Sequence, residues 1–390
     1  MKILILGADG YIGWPATLAM SDLGYDVLAV DNLSKKRIAS ECEIRPLNET
    51  LDFRDKAEKW LELSGKNIST IVGDLTDPIF VNTIFSEYSN TVGVPDAPFD
   101  VILHLAEQPS APYSMRSVDT SAYTLSNNLL IMNSVLFSIK VHCPQTHLIH
   151  IGTMGEYGTP NIDIEEGWLD VEHNGRHQKV LYPRQASSIY HTSKIMTTDL
   201  IWFAVRTWGL RCTDLMQGPV YGYKTEQTKL DDILSPSLYY DEFFGTLINR
   251  FAVQAALEHP LTVYGKGEQT RGYINIQDTI NCLKLTASAP PEPGELKIFN
   301  QITETFSVNQ LAKQFVNVAT QLDLKVDISH VPNPRVEAEE HYYNPTYSGL
   351  KELGLTPNIL DNKVIIDLIN FATRFIRSVD RETIFNGVKW

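Results

Sequence analysis

The apolar positions fall into short runs separated by helical stretches. Ile3 to Leu6 is unbroken and ends at Gly7, the pattern of a strand buried on both faces. Tyr11 to Leu23 carries apolar residues at helical spacing, and Tyr25 to Asp31 reads as a second strand. The same reasoning predicts strands at Ile68 to Val72, Asp100 to Leu105 and His147 to Ile151, and helices at Thr120 to Val141, Ile189 to Trp208 and Asp241 to Glu258. Such alternation joins parallel neighbours by crossovers, so the expected class is α/β, a doubly wound parallel sheet. The polar segment Lys35 to Lys66 reads as an insertion after the second strand. Beyond residue 215 the alternation weakens and Pro, Tyr and charged residues rise. The expected division is therefore a sheet domain at 1–215, with part of 270–300 returning to it, and a smaller C-terminal substrate-binding domain at 216–390.

Composition narrows the class. At 390 residues, 43% apolar and 21% charged, the chain has ample material for a packed core, so disorder is excluded. With 47 acidic against 33 basic residues the net charge is −14, which opposes nucleic acid or an anionic membrane as partner. No apolar run approaches the roughly 18 residues of a membrane span, and the N-terminal run is too short for a signal peptide. Cys42, Cys143, Cys212 and Cys282 are too far apart in sequence to suggest metal ligation or a disulfide framework. A cytoplasmic protein without a resident metal is expected.

Gly7-Ala8-Asp9-Gly10-Tyr11-Ile12-Gly13 lies directly between a strand and a helix. One glycine serves a tight turn, one the close approach of a pyrophosphate, and one the packing of helix on sheet, while the helix N-terminus receives phosphate charge. The second strand ends in Asp31, where a carboxylate accepts ribose hydroxyls. Asp31 would repel a 2′-phosphate, so NAD is expected over NADP. The basic run Lys35, Lys36 and Arg37 argues mildly the other way, although such a run also suits a solvated face. Gly73-Asp74-Leu75, after the third strand, is placed to approach the adenine.

Tyr190 and Lys194 stand four residues apart and share one helix face. A phenol with pKa of about 10 is a poor base at neutral pH, but a neighbouring ammonium and a cationic nicotinamide both favour phenolate. Thr153, ending the fifth strand, can bind the same substrate hydroxyl.

These motifs identify the chain as similar to the extended short-chain dehydrogenase/reductases that act on nucleotide sugars. Longer runs sharpen the resemblance to the branch that makes UDP-sulfoquinovose: Glu107-Gln108-Pro109-Ser110-Ala111-Pro112-Tyr113-Ser114-Met115, Gly152 to Gly167, Gln185-Ala186-Ser187-Ser188, His259 to Gly267, Gln269 to Tyr273 and Val331 to Asn344. The resemblance implies a Rossmann-like fold, bound NAD, and UDP-glucose and sulfite as substrates, with activity formally classed under carbon–sulfur bond hydrolases. Oxidation at C4 acidifies C5, loss of the C6 hydroxyl gives an enone, sulfite adds at C6, and hydride returns to C4. UDP-glucose 4-epimerase or 4,6-dehydratase activity is the alternative within the fold. A sulfite-delivering protein and a homodimer built on the two long helices are further implications.

By the same resemblance, Asn32, Leu33, Ser34, Arg37, Leu105, Ala106, Glu107, Asn127, Gln217 and Val220 join the cofactor set. Gln108, Met154, Gly155, Tyr264, Arg271, Arg335 and Glu337 would contact the nucleotide sugar, as would Gln217, with Arg250 a third candidate for the diphosphate. The Asp-Glu pair of 4,6-dehydratases is absent after Thr153, so His191 and Glu156 become the candidates for C5 base and C6 acid. Where relatives carry a basic residue, Pro109 cannot bind sulfite, leaving Arg184, Lys179 or His191 for that task. Arg176, Lys179, Arg184 and Lys194, in a stretch without Asp or Glu, suggest a small basic pocket within an acidic exterior.

Overall fold

The structure, a computed structural model, describes residues 1–90, 98–334 and 342–384. Strand β1 (Lys2–Leu6) passes through the glycine loop into helix α1 (Gly13–Asp22) and returns as β2 (Asp26–Asp31). Then come α2 (Ser34–Glu41), α3 (Phe53–Ser64), β3 (Ser69–Val72), α4 (Pro78–Asn90), β4 (Val101–His104), α5 (Ala111–Ser114), α6 (Val118–His142) and β5 (His147–Thr153). A hairpin of β6 (Trp168–His173) and β7 (Arg176–Leu181) leads to α7 (Ile189–Trp208) and β8 (Arg211–Gln217). The chain continues with β9 (Val220–Tyr221), α8 (Leu247–Ala256), β10 (Leu261–Tyr264), β11 (Thr270–Asn275), α9 (Ile276–Ala287) and β12 (Leu296–Gln301). Last are β13 (Glu304–Ser307), α10 (Val308–Gln321), β14 (Ile328–Val331), α11 (Gly349–Glu352) and α12 (Asn362–Arg374).

Seven strands form one parallel sheet in the order β12, β8, β5, β4, β1, β2, β3. Its strands alternate between two cores. Leu4, Leu6, Leu28 and Val30 face Phe85, Ile131, Val135 and Ile201, whereas Ile3, Ile5, Val27 and Ala29 face Trp14, Phe53, Trp60 and Ile280. Both faces are covered, which is why these strands read as continuous apolar runs. The strand order reverses between β1 and β4, opening a crevice beyond their C-terminal ends.

A separate core lies C-terminal to β8, where Phe251, Phe315, Leu368 and Phe371 pack from α8, α10 and α12. The rings of Tyr223 and Phe371 stack there with centroids 3.6 Å apart. Strands β13, β11 and β9 form a small sheet beside it, and β10 pairs with β14.

Two stretches differ from expectation. The segment read as an insertion contains α2 and α3, and α3 buries Phe53, Ala57 and Trp60 against the sheet. Charged residues on its outer face mask that spacing in sequence. The helix expected from Asp241 starts at Leu247, because Asp241 Oδ1 accepts the N–H groups of Phe243 and Phe244 and closes a turn. Asp241 to Thr246 is thereby held as non-helical backbone beside the crevice.

The second core yields a stability prediction. Phe315, 0% exposed, should cost about 3–5 kcal/mol when truncated to Ala, since the void is only partly refilled. Ile79→Ala, at a side chain 76% exposed, should stay within about 0.5 kcal/mol. Urea unfolding of the two variants against the parent measures the difference.

Candidate active site

A cavity of about 680 Å³ opens at the C-terminal ends of β1, β2, β4, β5 and β8. The glycine loop forms one wall. Gly7 has φ +84°, and a Cβ there would lie 2.6 Å from the carbonyl carbon of Leu105, so only glycine lets the loop meet the end of β4. A Cβ on Gly13 would lie 1.9 Å from the Gly7 carbonyl oxygen. Gly10, Tyr11 and Ile12 complete that wall, and Ile12 caps α1 without a side-chain hydrogen bond to its first turn. A glycine cradle followed by an open helix N-terminus fits a dinucleotide pyrophosphate.

Asp31 ends β2 on the cavity wall and accepts the N–H groups of Leu33 at 2.7 Å and Asp9 at 2.8 Å. Burial raises its pKa. Asp9, also on the wall, is held by Lys56 at 2.6 Å and Lys36 at 3.1 Å. Asn32, Leu33 and Ser34 line the same end with Leu75, Leu105, Ala106 and Glu107, and Asn127, Gln217 and Val220 line the cavity further on. Asp74 stays outside the wall, accepting the N–H of Thr76 and lying 3.5 Å from Asn32 Nδ2.

Arg37 is a correction to the cofactor set: it is off the cavity wall, 3.4 Å from Glu41 on the outer side of α2. One residue earlier on the helix, Lys36 reaches Asp9 instead. Before it, Lys35 lines the cavity over the rings of Tyr239 at 4.5 Å and Phe244 at 5.4 Å, and burial pushes its pKa down to about 8. The basic run is thus divided by helical phase, with two lysines turned inward and the arginine outward.

At the reacting end, Thr153, Met154, Gly155, Tyr190 and His191 share the wall. Ser188 caps α7 by accepting the His191 N–H, and Ser114 Oγ accepts the Tyr190 N–H at 3.0 Å. His191 Nδ1 lies 3.0 Å from Ser187 Oγ. Its ring covers Gly155, where a Cβ would fall 2.3 Å from Nε2, so the glycine is what admits it. The Lys194 side chain passes beneath the cavity, bonded to Glu107 Oε1, His150 Nε2 and the Ile151 carbonyl. Tyr190 therefore differs from expectation: burial and the Glu107 and Glu156 carboxylates hold its phenol well above the ordinary value.

Three further expectations are corrected. Glu156 is fully buried behind the wall: Oε1 accepts the Thr153 N–H at 3.1 Å, and Oε2 lies 3.2 Å from Arg184. It does not line the cavity, where a C6 acid is expected to stand. Gln108 is buried as well, bonded to Thr124 and Ser110 rather than facing a substrate. The basic pocket dissolves, because Arg184 pairs with Glu156, Lys194 pairs with Glu107, and Arg176 and Lys179 stand exposed on the β6–β7 hairpin. Of the three sulfite candidates, only His191 lines the cavity.

A second cavity of about 220 Å³ adjoins the first. Arg250, over the Tyr264 ring at 5.3 Å, and Tyr264 itself lie here, and Arg271 lines both cavities. Arg335 and Glu337 lie outside the described residues. Sequence reasoning missed Lys56, His150, Ser187 and the loop from Tyr239 to Thr246. The aromatic cluster in that loop and the serine one helical turn before His191 were the available signals.

A model of the NAD dependent epimerase/dehydratase family matches residues 3–300. The chain is 44% identical over 389 residues to the chloroplastic UDP-sulfoquinovose synthase of Spinacia oleracea, covering 100% of this chain and 79% of that one. It is 40% identical over 398 residues to the UDP-sulfoquinovose synthase of Sulfolobus acidocaldarius, covering 100% and 98%. Among solved structures, the UDP-glucose 4-epimerase of Thermotoga maritima with UDP-glucose superposes with a TM-score of 0.69 at 20% identity, covering 97% and 99%.

Glu156 also predicts a pH dependence. Burial pushes its carboxyl up to about 7, against the Arg184 charge. Between the ordinary value near 4.5 and this one, the folded state holds more protons than the unfolded state, so this group's contribution to stability falls as pH rises. The loss of melting temperature between pH 5 and pH 7.5 should shrink in Glu156→Gln, as followed by thermal unfolding at the two pH values.

Proposed function

The chain belongs to the NAD dependent epimerase/dehydratase family and, within it, to the UDP-sulfoquinovose synthases, and we propose that it joins UDP-glucose and sulfite into UDP-sulfoquinovose and water. The observation that carries this reading is the single cavity in which the glycine loop, Asp31, Thr153, Tyr190 and His191 converge. The cofactor is NAD, which when bound supplies a two-electron acceptor for C4 that is restored in the same cycle. The glycine cradle fits its pyrophosphate, and Asp31 is suited to its ribose.

The residues divide the work by position. Tyr190 takes the proton of the 4-hydroxyl and later returns it, with Thr153 holding that oxygen. Once C4 is a ketone the C5 proton is acidic, and His191, oriented by Ser187, removes it and passes it to the departing C6 hydroxyl, which leaves as water. Hydrogen sulfite then adds through sulfur to C6 and gives up its proton, which returns to C5 by way of His191, and C4 is reduced. Met154 and Gly155 shape the sugar pocket, while Arg271, Arg250 and Tyr264 extend toward the diphosphate and uridine. Arg335 and Glu337 are carried over to the same task from the resemblance alone.

Sulfite supplied by a partner protein is part of this proposal, as is a homodimer. An apolar stripe supports the dimer: Phe137 and Val141 on α6 and Phe203 on α7 are 48%, 67% and 45% exposed. Phe137 and Phe203 both pack on Trp208. We place the protein in the cytoplasm, consistent with four free thiols; no described helix is long and apolar enough to cross a membrane.

Incubation with UDP-glucose, NAD and labelled sulfite should give a labelled sulfosugar nucleotide; a 4-keto or galacto product without label would overturn the assignment. Tyr190→Phe should lower turnover by about 10²–10⁴-fold in that assay. Phe137→Glu should shift the protein from dimer to monomer in light scattering.

A further inference from the structure

The Lys194 side chain is 0% exposed, and its ammonium has three N–H bonds to give. Each has a taker: Glu107 Oε1 at 2.5 Å, His150 Nε2 at 3.0 Å and the Ile151 carbonyl. Among the described residues the Tyr190 hydroxyl is not one of them. His150 accepts because burial and the nearby Lys194 charge keep its ring neutral, as they do that of His104, whose centroid lies 5.4 Å from it. Donor atoms of His104, Glu107 and His150 lie within 4.8 Å of one another, a spacing that suits a divalent ion. The Lys194 ammonium bonds two of the three and supplies the positive charge itself.

We infer that Glu107 is the positioning residue of the Tyr190–Lys194 pair, anchoring the ammonium beneath the cavity and keeping a negative charge beside the phenol. The inference rests on the reading of Tyr190 as the base. Its chemical sense lies in the closed cycle: the proton taken from the 4-hydroxyl has to be given back, so the phenol must not ionise too easily. A lysine aimed at Tyr190 without a counter-charge would favour abstraction and oppose return. Glu107 balances the two; burial raises its own pKa, and the ammonium it holds works against that rise. Removing its charge leaves the buried Lys194 ammonium on the neutral partners His150 and the Ile151 carbonyl.

The groups around Lys194 and Tyr190 are His104 from β4, Glu107 beyond β4, His150 from β5, Glu156 beyond β5, Arg184 before α7, Asp214 from β8, and His191 from α7 itself, whose ring centroid lies 5.3 Å from that of Tyr190. Of these, Glu107 and Glu156 are the charges that raise the Tyr190 pKa, Glu107 the more strongly.

The test uses the NAD-loaded enzyme, UDP-glucose without sulfite, and the absorbance of reduced nicotinamide in a single turnover from pH 5 to 10. In Glu107→Gln the acidic limb of the profile should move to lower pH by about one unit. Glu107→Asp, which keeps the charge, should hold it near the parent position. A Glu107→Gln profile that overlays the parent, with Tyr190→Phe inactive, overturns this inference alone. Tyr190→Phe oxidising the sugar at the parent rate overturns the reading of the base, and this inference with it. Thermal unfolding without ligands gives an arm independent of turnover. The double variant Glu107→Gln, Lys194→Met should melt higher than either single one, because each single variant strands a buried partner. Additive losses would show that the two residues are not a pair.

Discussion

Charges carried into the interior at the C-terminal edge of the sheet must be paired there, and that requirement organises the region. A buried ion pair broken on one side costs about 3–5 kcal/mol, a large share of a domain's net stability. Asp9 meets it through Lys56 and Lys36, which ties α3 and the start of α2 to the glycine loop. Glu156 meets it through Arg184, fixing the loop ahead of α7. Glu107 and Lys194 meet it through each other, fixing α7 against the end of β4. Asp9, Lys36 and Glu107 carry this pairing onto the cavity wall, while Lys56, Glu156, Arg184 and Lys194 stay behind it.

The pairing also explains how a chain of net charge −14 can receive anionic substrates. Cations count at the cavity only where they reach its wall, and the basic residues clustered in sequence ahead of α7 do not. Lys35, Lys36 and Arg271 do reach it, from segments far apart in the chain. The site's electrostatics thus follow from helix phase and crossover topology. Net charge and charge runs have little bearing on them.

Local chemistry was readable where neighbours in sequence are neighbours in space. The glycine loop, Asp31 at a strand end, and Tyr190 with His191 on one helical turn all needed only short-range geometry, and each stands on the cavity wall. The parallel sheet was readable too, because strands covered on both faces must be apolar at consecutive positions. Glu156 and Gln108 misled for the converse reason. Each follows closely on residues of the wall, yet Glu156 turns back to cap the Thr153 N–H and Gln108 turns under to Thr124.

The sequence by itself determined the α/β class, the dinucleotide loop, the tyrosine–lysine spacing and the family likeness, since each resides in contiguous residues whose backbone geometry is set locally. The tertiary structure alone decided that Lys194 bonds Glu107 and His150, that Arg184 is spent on Glu156, and that His191 is the sulfite candidate left on the wall. Those outcomes depend on which strand lies beside which. Strand order in a doubly wound sheet is fixed by packing across the whole chain, so no short segment encodes it.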